Sequence, residues 1–202
     1  MFISFEGIDG CGKSTQARRL ADRLEAAGRT VLRNREPGGS AGAEAIRALL
    51  VEGEPGRWSP TTELLLYAAA RRDNLERRIA PALDRDDWVV TDRWTDSTRA
   101  YQATRGGDRA TVDALHDLVI GREPDLTFVI DMDPATALAR GLARPGAEDR
   151  FERLGLDFQR TVRAGYLALA AAAPGRVRVI DGDAPPDAVA ARVAAHVPGL
   201  AP

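Results

Sequence analysis

Lysine is almost missing from this chain. The sequence carries 28 Lys and Arg residues together, and Lys13 is its only lysine. Arginine serves everywhere else, so Lys13 marks a place that needs a slim ammonium acting as a point charge rather than a broad planar guanidinium. Cysteine is nearly absent as well. The lone Cys11 excludes an internal disulfide and fits a reducing compartment. No apolar run is long enough to span a bilayer, and the first residues lack a basic-then-apolar signal. The expected location is cytoplasmic, with no membrane partner. Excess charge of either sign is missing too. A formal net charge of −2 argues against a nucleic-acid-coating surface. His116 and His196 have no partners at metal-binding spacing and read as structural.

The most informative stretch is Gly7-Ile8-Asp9-Gly10-Cys11-Gly12-Lys13-Ser14, which has the spacing of a phosphate-binding loop. The apolar run Phe2 to Phe5 before it reads as a buried strand. Thr15 to Ala27 after it reads as a helix, with Ala17, Leu20, Ala21 and Leu24 on one face. Glycines let the backbone close around a phosphate, and the N–H groups and helix N-terminus supply positive potential. Residues Gly7, Ile8, Asp9, Gly10, Cys11, Gly12, Lys13, Ser14 and Thr15 are therefore the expected nucleotide cradle. Lys13 reaches the terminal phosphates, and the Ser14 hydroxyl is a candidate Mg²⁺ ligand. Cys11 fills a small-residue position, where the helix N-terminus favours a lowered thiol pKa.

Strands and helices alternate along the rest. Further strands are expected near Thr30–Arg33, Trp88–Thr91, Leu126–Ile130 and Val177–Ile180. Ser59-Pro60 opens a long helix running toward Ile79 and Leu83, with Pro81 a possible kink. The helix from Arg109 to Ile120 should turn Val112, Leu115 and Leu118 inward. This pattern predicts an α/β chain with a five-stranded parallel sheet and helices on both faces, a three-layer phosphate-loop fold. With 202 residues and no linker or repeat, one domain over 1–202 is expected. The charged Pro/Gly stretch at about 144–155 reads as a mobile lid.

A phosphate loop alone implies only a bound nucleoside triphosphate. A switch GTPase would need an Asn-Lys-x-Asp segment, which a single lysine excludes, and a motor ATPase would be longer. A compact kinase of a small acceptor remains. Such an enzyme needs acceptor-side cations, a carboxylate near the metal, and a cationic flap that excludes water. Asp92-Arg93 follows a buried strand at the edge where α/β ligands bind. Asp92 is preferred over Asp131 as the metal-side carboxylate because Arg93 makes sense only near anions. Arg144, Arg150 and Arg153 populate the lid, though the acids among them equally suit a solvated, ion-paired face. Tyr67 and Arg71 lie one helical turn apart and can sandwich and hydrogen-bond a planar base, or be ordinary core and surface residues.

Several segments together resemble the thymidylate kinase family: Phe5-Glu6-Gly7-Ile8-Asp9-Gly10, Arg35-Glu36-Pro37-Gly38-Gly39, and Asp92-Arg93-Trp94 with Ser97, Ala100, Tyr101 and Gln102. Pro124-Asp125-Leu126-Thr127 and the Arg-rich lid also fit. The resemblance runs from residue 2 to about residue 181. It implies phosphoryl transfer from ATP to dTMP, with Mg²⁺, in a homodimer. Under it, Asp9 approaches the acceptor 3′-hydroxyl and helps order metal and phosphates. Arg93 binds the dTMP phosphate with Arg47 as a second contact. Tyr67 stacks on thymine, Arg71 reads the base oxygen, and Thr98 and Gln102 line the base pocket. Tyr101 crowds the ribose 2′ position. Asp157 falls near an acidic position tied to metal binding. Two features depart from the family pattern. Trp94 replaces a smaller aromatic residue or His. Gly10 stands where one branch of the family has Arg, which shifts transition-state charge to Arg144 or Arg150. The alternatives are a kinase of another nucleotide or nucleoside, and an ATP-binding regulatory module without turnover.

Overall fold

The structure is a computed structural model that describes residues 1–54, 56–104, 108–143 and 154–200, with backbone alone at 102–104. Arg144, Arg150 and the remainder of the expected lid up to residue 153 lie outside the described residues, as does the Gln102 side chain.

Five short runs form the strands β1 (Phe2–Glu6), β2 (Val31–Arg35), β3 (Trp88–Asp92), β4 (Leu126–Asp131) and β5 (Val177–Asp181). All pair in parallel, as the alternating pattern predicts, and the order is β2-β3-β1-β4-β5. β1 is buried along its whole length because it lies in the middle, whereas the edge strands β2 and β5 are partly exposed. The chain leaves β1 toward β2 on one side, and β4 lies on the other. The crevice beyond the C-terminal end of β1 is thus the topological switch point, where α/β folds bind ligands.

The pleat splits β1 into two faces. Ile3 and Phe5 look one way, where Phe5 meets Phe128 at 5.3 Å between ring centroids and Phe128 in turn approaches His196. Ser4 and Glu6 look the other way. Ser4 Oγ lies 2.8 Å from Thr127 Oγ1 on β4. The apolar side supplies stability, roughly 1.5–3 kcal/mol for each fully buried large side chain. The polar side leads to the site.

The helices follow their capping signals. α1 (Lys13–Ala26) ends at Gly28, whose φ of +79° is left-handed. α2 (Ala41–Val51) starts under Ser40, and α3 (Pro60–Asn74) under Ser59, each N-cap hydroxyl accepting a backbone N–H. The expected single helix to Leu83 is instead divided. A π-helical turn (Leu75–Ile79) separates α3 from α4 (Ala80–Asp84), with the Ala80 N–H donating to Leu75 O. Pro81 has no N–H for Arg77 O, and the widened turn lets the chain continue through it. α5 (Thr95–Thr104), α6 (Arg109–Val119), α7 (Pro134–Leu142), α8 (Gly155–Ala172) and α9 (Pro186–Ala194) complete the layers.

One expected core residue is misplaced. Leu118 is 82 % exposed. Spacings of three drift off a 3.6-residue face after two steps, and the buried stripe of α6 runs instead through Val112, His116 and Ile120. His116 is structural: its Nδ1 lies 3.0 Å from Thr95 Oγ1. No helix among the described residues is long and apolar enough to cross a membrane.

Candidate active site

The phosphate loop leaves β1 at Glu6 and enters α1 at Lys13. Gly12 caps the helix with a φ of +96° and has nothing within 4 Å of where a Cβ would stand, which keeps the backbone approachable. Gly10 is confined instead. Its φ is +85°, and a Cβ there would stand 1.8 Å from Ala137 O on α7. No side chain fits at residue 10 unless α7 moves, so an arginine at this position has no room in this chain. Ser14 is exposed at the start of α1, and Thr15 is half-buried beside it. Ile8 and Cys11 are buried and fasten the loop from below. Burial pushes the Cys11 thiol pKa up against the pull of Lys13, contrary to the expected lowering.

Lys13 and Arg93 converge on Asp9. Lys13 Nζ donates to Asp9 Oδ1 at 3.0 Å and to Ile8 O at 3.3 Å. Arg93 Nη2 donates to the same Oδ1 at 2.5 Å, and the Tyr101 hydroxyl donates to Oδ2 at 2.9 Å. Burial would raise the Asp9 pKa, but the two cations outweigh it and hold the carboxyl below the usual range. Burial also pushes the Tyr101 and Tyr166 phenols well up, so both keep the protons they donate.

Arg93 follows β3 in a left-handed conformation, φ +74°, unusual for a residue with a side chain. Such strain costs on the order of 1–3 kcal/mol and persists only where surrounding contacts fix it. Its N–H donates to Phe5 O at 2.9 Å. Its Nη1 donates to Ser97 Oγ at 2.9 Å and to the Tyr166 hydroxyl at 3.3 Å.

Behind these groups lies Glu6, wholly buried. It accepts from the Trp94 N–H at 2.7 Å, from Ser97 Oγ at 2.6 Å and from the Tyr166 hydroxyl at 3.1 Å. Burial foremost, with Asp96 adding to it, raises its carboxyl from 4.5 to about 7 against the pull of Ser97, Arg93 and the Trp94 N–H.

A second cluster stands along α3. Arg71 Nε donates to Glu36 Oε2 at 2.7 Å and its Nη2 to Thr98 Oγ1 at 3.0 Å, all three residues being buried. The guanidinium lies 5.3 Å from the Trp94 ring centroid. Trp94 fits fully buried, edge-on to Phe2, with its indole N–H on Arg122 O. Tyr67 is half-buried one turn before Arg71. Arg47 Nη1 donates to Pro37 O, beside Glu36.

The expected residues thus gather in two groups, Lys13–Asp9–Arg93–Tyr101 and Arg71–Thr98. Asp157 stands apart, exposed on the first turn of α8 and paired with Arg160. Asp131 takes both Nε and Nη2 of Arg163 at 2.6 and 2.7 Å, which suits the structural role expected of it. Glu6, Glu36 and Tyr166 belong to the site, although no role was assigned to them from sequence. Glu6 and Glu36 signal themselves as acids at the border of an apolar strand and of a Pro/Gly turn, inside two of the segments that carry the resemblance; Tyr166 offers no signal.

The donor set fits a hard cation that keeps its waters. Asp92 Oδ1 is buried at the end of β3 without a hydrogen-bond partner among the described residues, and Ser14 is an exposed hydroxyl residue at the start of α1. Among the described residues no cluster of three His, Cys, Asp or Glu side chains forms a metal cage. Mg²⁺ suits such a site, since it is ordinarily bound through one or two carboxylates plus substrate phosphates.

Comparison with known proteins converges on one family. The family pattern described as thymidylate kinase matches residues 5–193. The thymidylate kinase of Dinoroseobacter shibae is 67 % identical over 196 residues, covering 96 % of this chain and 95 % of the relative. That of Jannaschia sp. is 60 % identical over 191 residues, covering 94 % and 92 %. The crystal structure of the Ehrlichia chaffeensis thymidylate kinase superposes with a TM-score of 0.79 at 34 % identity, over 96 % of each chain. With its loop, its strand order and these matches along nearly its whole length, the chain belongs to the thymidylate kinase family.

Proposed function

We propose that this protein transfers the terminal phosphoryl group of ATP to dTMP, yielding ADP and dTDP. The observation that carries this is the meeting of Lys13 and Arg93 on one oxygen of Asp9. The donor loop and the acceptor-side arginine are one contact apart at the switch point of the sheet.

Each anion has its own cation. The backbone N–H groups of residues 7–15 and the Lys13 ammonium take the donor phosphates. The Arg93 guanidinium takes the acceptor phosphate, with Arg47 as a second contact. An oxygen of the dTMP phosphate attacks the terminal phosphorus of ATP, and the bond to the bridging oxygen breaks with ADP leaving. Lys13 and Arg93 stabilise charge on the transferring group throughout. Mg²⁺, when bound, neutralises donor-phosphate charge; Ser14, Asp9 and Asp92 would hold it.

Arg71 and Thr98 face the base, Tyr67 stacks on it, and Gln102 completes the pocket. Tyr101 crowds the 2′ position and selects deoxyribose. The lid at about 144–155 closes over both substrates as part of one domain, and Arg144 or Arg150 delivers the remaining transition-state charge. Asp157 keeps only the metal role implied by resemblance. A cytoplasmic homodimer completes the reading. Leu65 on α3 and Leu118 on α6 are 53 % and 82 % exposed, and a second copy would cover such side chains.

A coupled assay across dTMP, dUMP, dCMP, dGMP and thymidine tests the assignment. Preferred turnover of dTMP is expected. Strong turnover of another acceptor with little of dTMP overturns it. ATP binding without dTMP-dependent ADP release would return the chain to a regulatory module. Sedimentation at assay concentration tests the dimer.

A further inference from the structure

Glu6 is a fully buried acid with no ion pair of its own among the described residues. Burying a carboxyl this way is unfavourable, so simple structural benefit explains it poorly. Its contacts share one property: every partner is next to Arg93. Trp94, whose N–H donates to Glu6 Oε1, is the following residue. Ser97 Oγ and the Tyr166 hydroxyl donate to Glu6 Oε2 and accept from Arg93 Nη1.

The end of β1 therefore grips the left-handed turn twice in succession. Phe5 O takes the Arg93 N–H, and Glu6 Oε1 takes the Trp94 N–H. A carboxylate only accepts hydrogen bonds. It obliges both hydroxyls to point their protons at Glu6 and their lone pairs at the guanidinium. Nη1 is thereby tethered from behind, while Nη2 extends to Asp9 Oδ1 and the substrate side.

We propose that Glu6 is a positioning residue for the acceptor phosphate, setting the backbone turn at Arg93 and the sense of the Ser97 and Tyr166 hydroxyls so that Nη1 is anchored and Nη2 presented. The proposal rests on the reading of Arg93 as the cation that binds the acceptor phosphate. Glu6→Gln preserves volume and the Oε1-type acceptor but places an NH₂ against hydroxyls that must donate.

The test compares dTMP with thymidine, which has the same base and sugar but no phosphate, by calorimetric titration at about pH 8, above the value of about 7 to which burial raises the Glu6 carboxyl. Glu6→Gln should weaken dTMP binding about tenfold while thymidine binding stays within about twofold. In turnover, the KM for dTMP should rise with the KM for ATP unchanged. Equal weakening of both ligands, or of neither, overturns the proposal. Should Glu6→Gln fail to fold, the double variant Ser97→Ala/Tyr166→Phe removes the hydroxyl relay and must show the same phosphate-specific loss. If wild-type protein binds dTMP no more tightly than thymidine, the reading of Arg93 falls. Crystal structures of wild type and Glu6→Gln then decide the positioning alone: a displaced turn or guanidinium at Arg93 supports it, and an unchanged φ with both Nη1 contacts intact overturns it.

Discussion

Arg93 Nη2 and Lys13 Nζ share a single acceptor, Oδ1 of Asp9, at 2.5 and 3.0 Å. The carboxylate holds together two cations that would otherwise repel across a partly buried loop. It thereby keeps the donor and acceptor halves of the site in register before either substrate arrives. Asp9→Asn leaves both charges without their counter-ion. It should lower stability by about 1–3 kcal/mol, measured by denaturant unfolding at neutral pH. Because the Asp9 pKa is depressed, its stabilisation is complete above the unfolded-state carboxyl pKa and is lost only as pH falls through the lower folded value. The deficit of the variant should therefore stay flat from about pH 6 to 8. A deficit that varies steeply across that range would contradict the ion-pair account.

Lys13 is 6 % exposed and sits within a loop that already wraps it. A guanidinium is broader and carries its charge over a plane, so it neither fits beside Ile8 O nor acts as a point charge on a terminal phosphate. Lys13→Arg should cut kcat by about a hundredfold or more, and Lys13→Ala at least as much. The melting temperature should move little by comparison. Near-normal turnover in Lys13→Arg would refute the importance of the ammonium.

How much of this was legible in the sequence depended on how local the signal is. Residues 7–14 form a contiguous motif between a strand and a helix, and the lone lysine singles itself out. Five strands were visible because each is a short apolar run bounded by turn residues. Glu6 and Tyr166 were not read as partners because they are 160 residues apart, and only the packing of α8 against β4 and α5 brings them together. The π-helical turn at Leu75–Ile79 was hidden because Pro81 shows that a helix is disturbed, not how it recovers. Leu118 failed on helical phase, a drift that only the position of the neighbouring helices fixes.

Arg71 and Glu36 form a buried pair at 2.7 Å. Removing only the cation leaves a buried carboxylate without its counter-charge. Arg71→Met should thus cost about 3–5 kcal/mol of stability as well as dTMP affinity. Adding Glu36→Gln removes the orphaned charge and should restore much of the stability but none of the affinity. Recovery of dTMP binding in the double variant would show that Arg71 serves the fold and not the base.

Glu6 gives the opposite pH signature to Asp9. Its carboxyl titrates at about 7 in the folded protein and at 4.5 ordinarily, with burial the main cause. Between those values the folded state keeps a proton that the unfolded state has released. The contribution of this group to stability is therefore full below the unfolded pKa and is lost as pH rises through about 7. Asp96, Arg93 and Tyr166 surround it. Tyr166 stays protonated across the window, and the other two stay charged. Relative to Glu6→Gln, wild type should lose on the order of 3 kcal/mol between about pH 4.5 and 8, read from urea unfolding at intervals. A flat difference would mean that the carboxyl is not desolvated as its burial implies.

Gly10 links the loop to α7, and the contact is with backbone on both sides. A Cβ at residue 10 would lie 1.8 Å from Ala137 O, 2.7 Å from Ala137 C and 3.0 Å from Gly141 N, in a conformation with φ of +85°. No rotamer change relieves a clash between two backbones, so either the loop or α7 must shift. Gly10→Ala should cost at least about 2 kcal/mol from left-handed strain and overpacking together. The displaced loop should also weaken ATP binding, measured by titration with a non-hydrolysable analogue, while thymidine binding on the far side of Asp9 is retained. Gly10→Arg meets the same obstacle before its guanidinium reaches any phosphate. It should therefore fail to rescue turnover in Arg144→Ala or Arg150→Ala, whichever of the two proves slow. Rescue would show that α7 yields to a side chain at residue 10 and that this chain can take its transition-state cation from the loop after all.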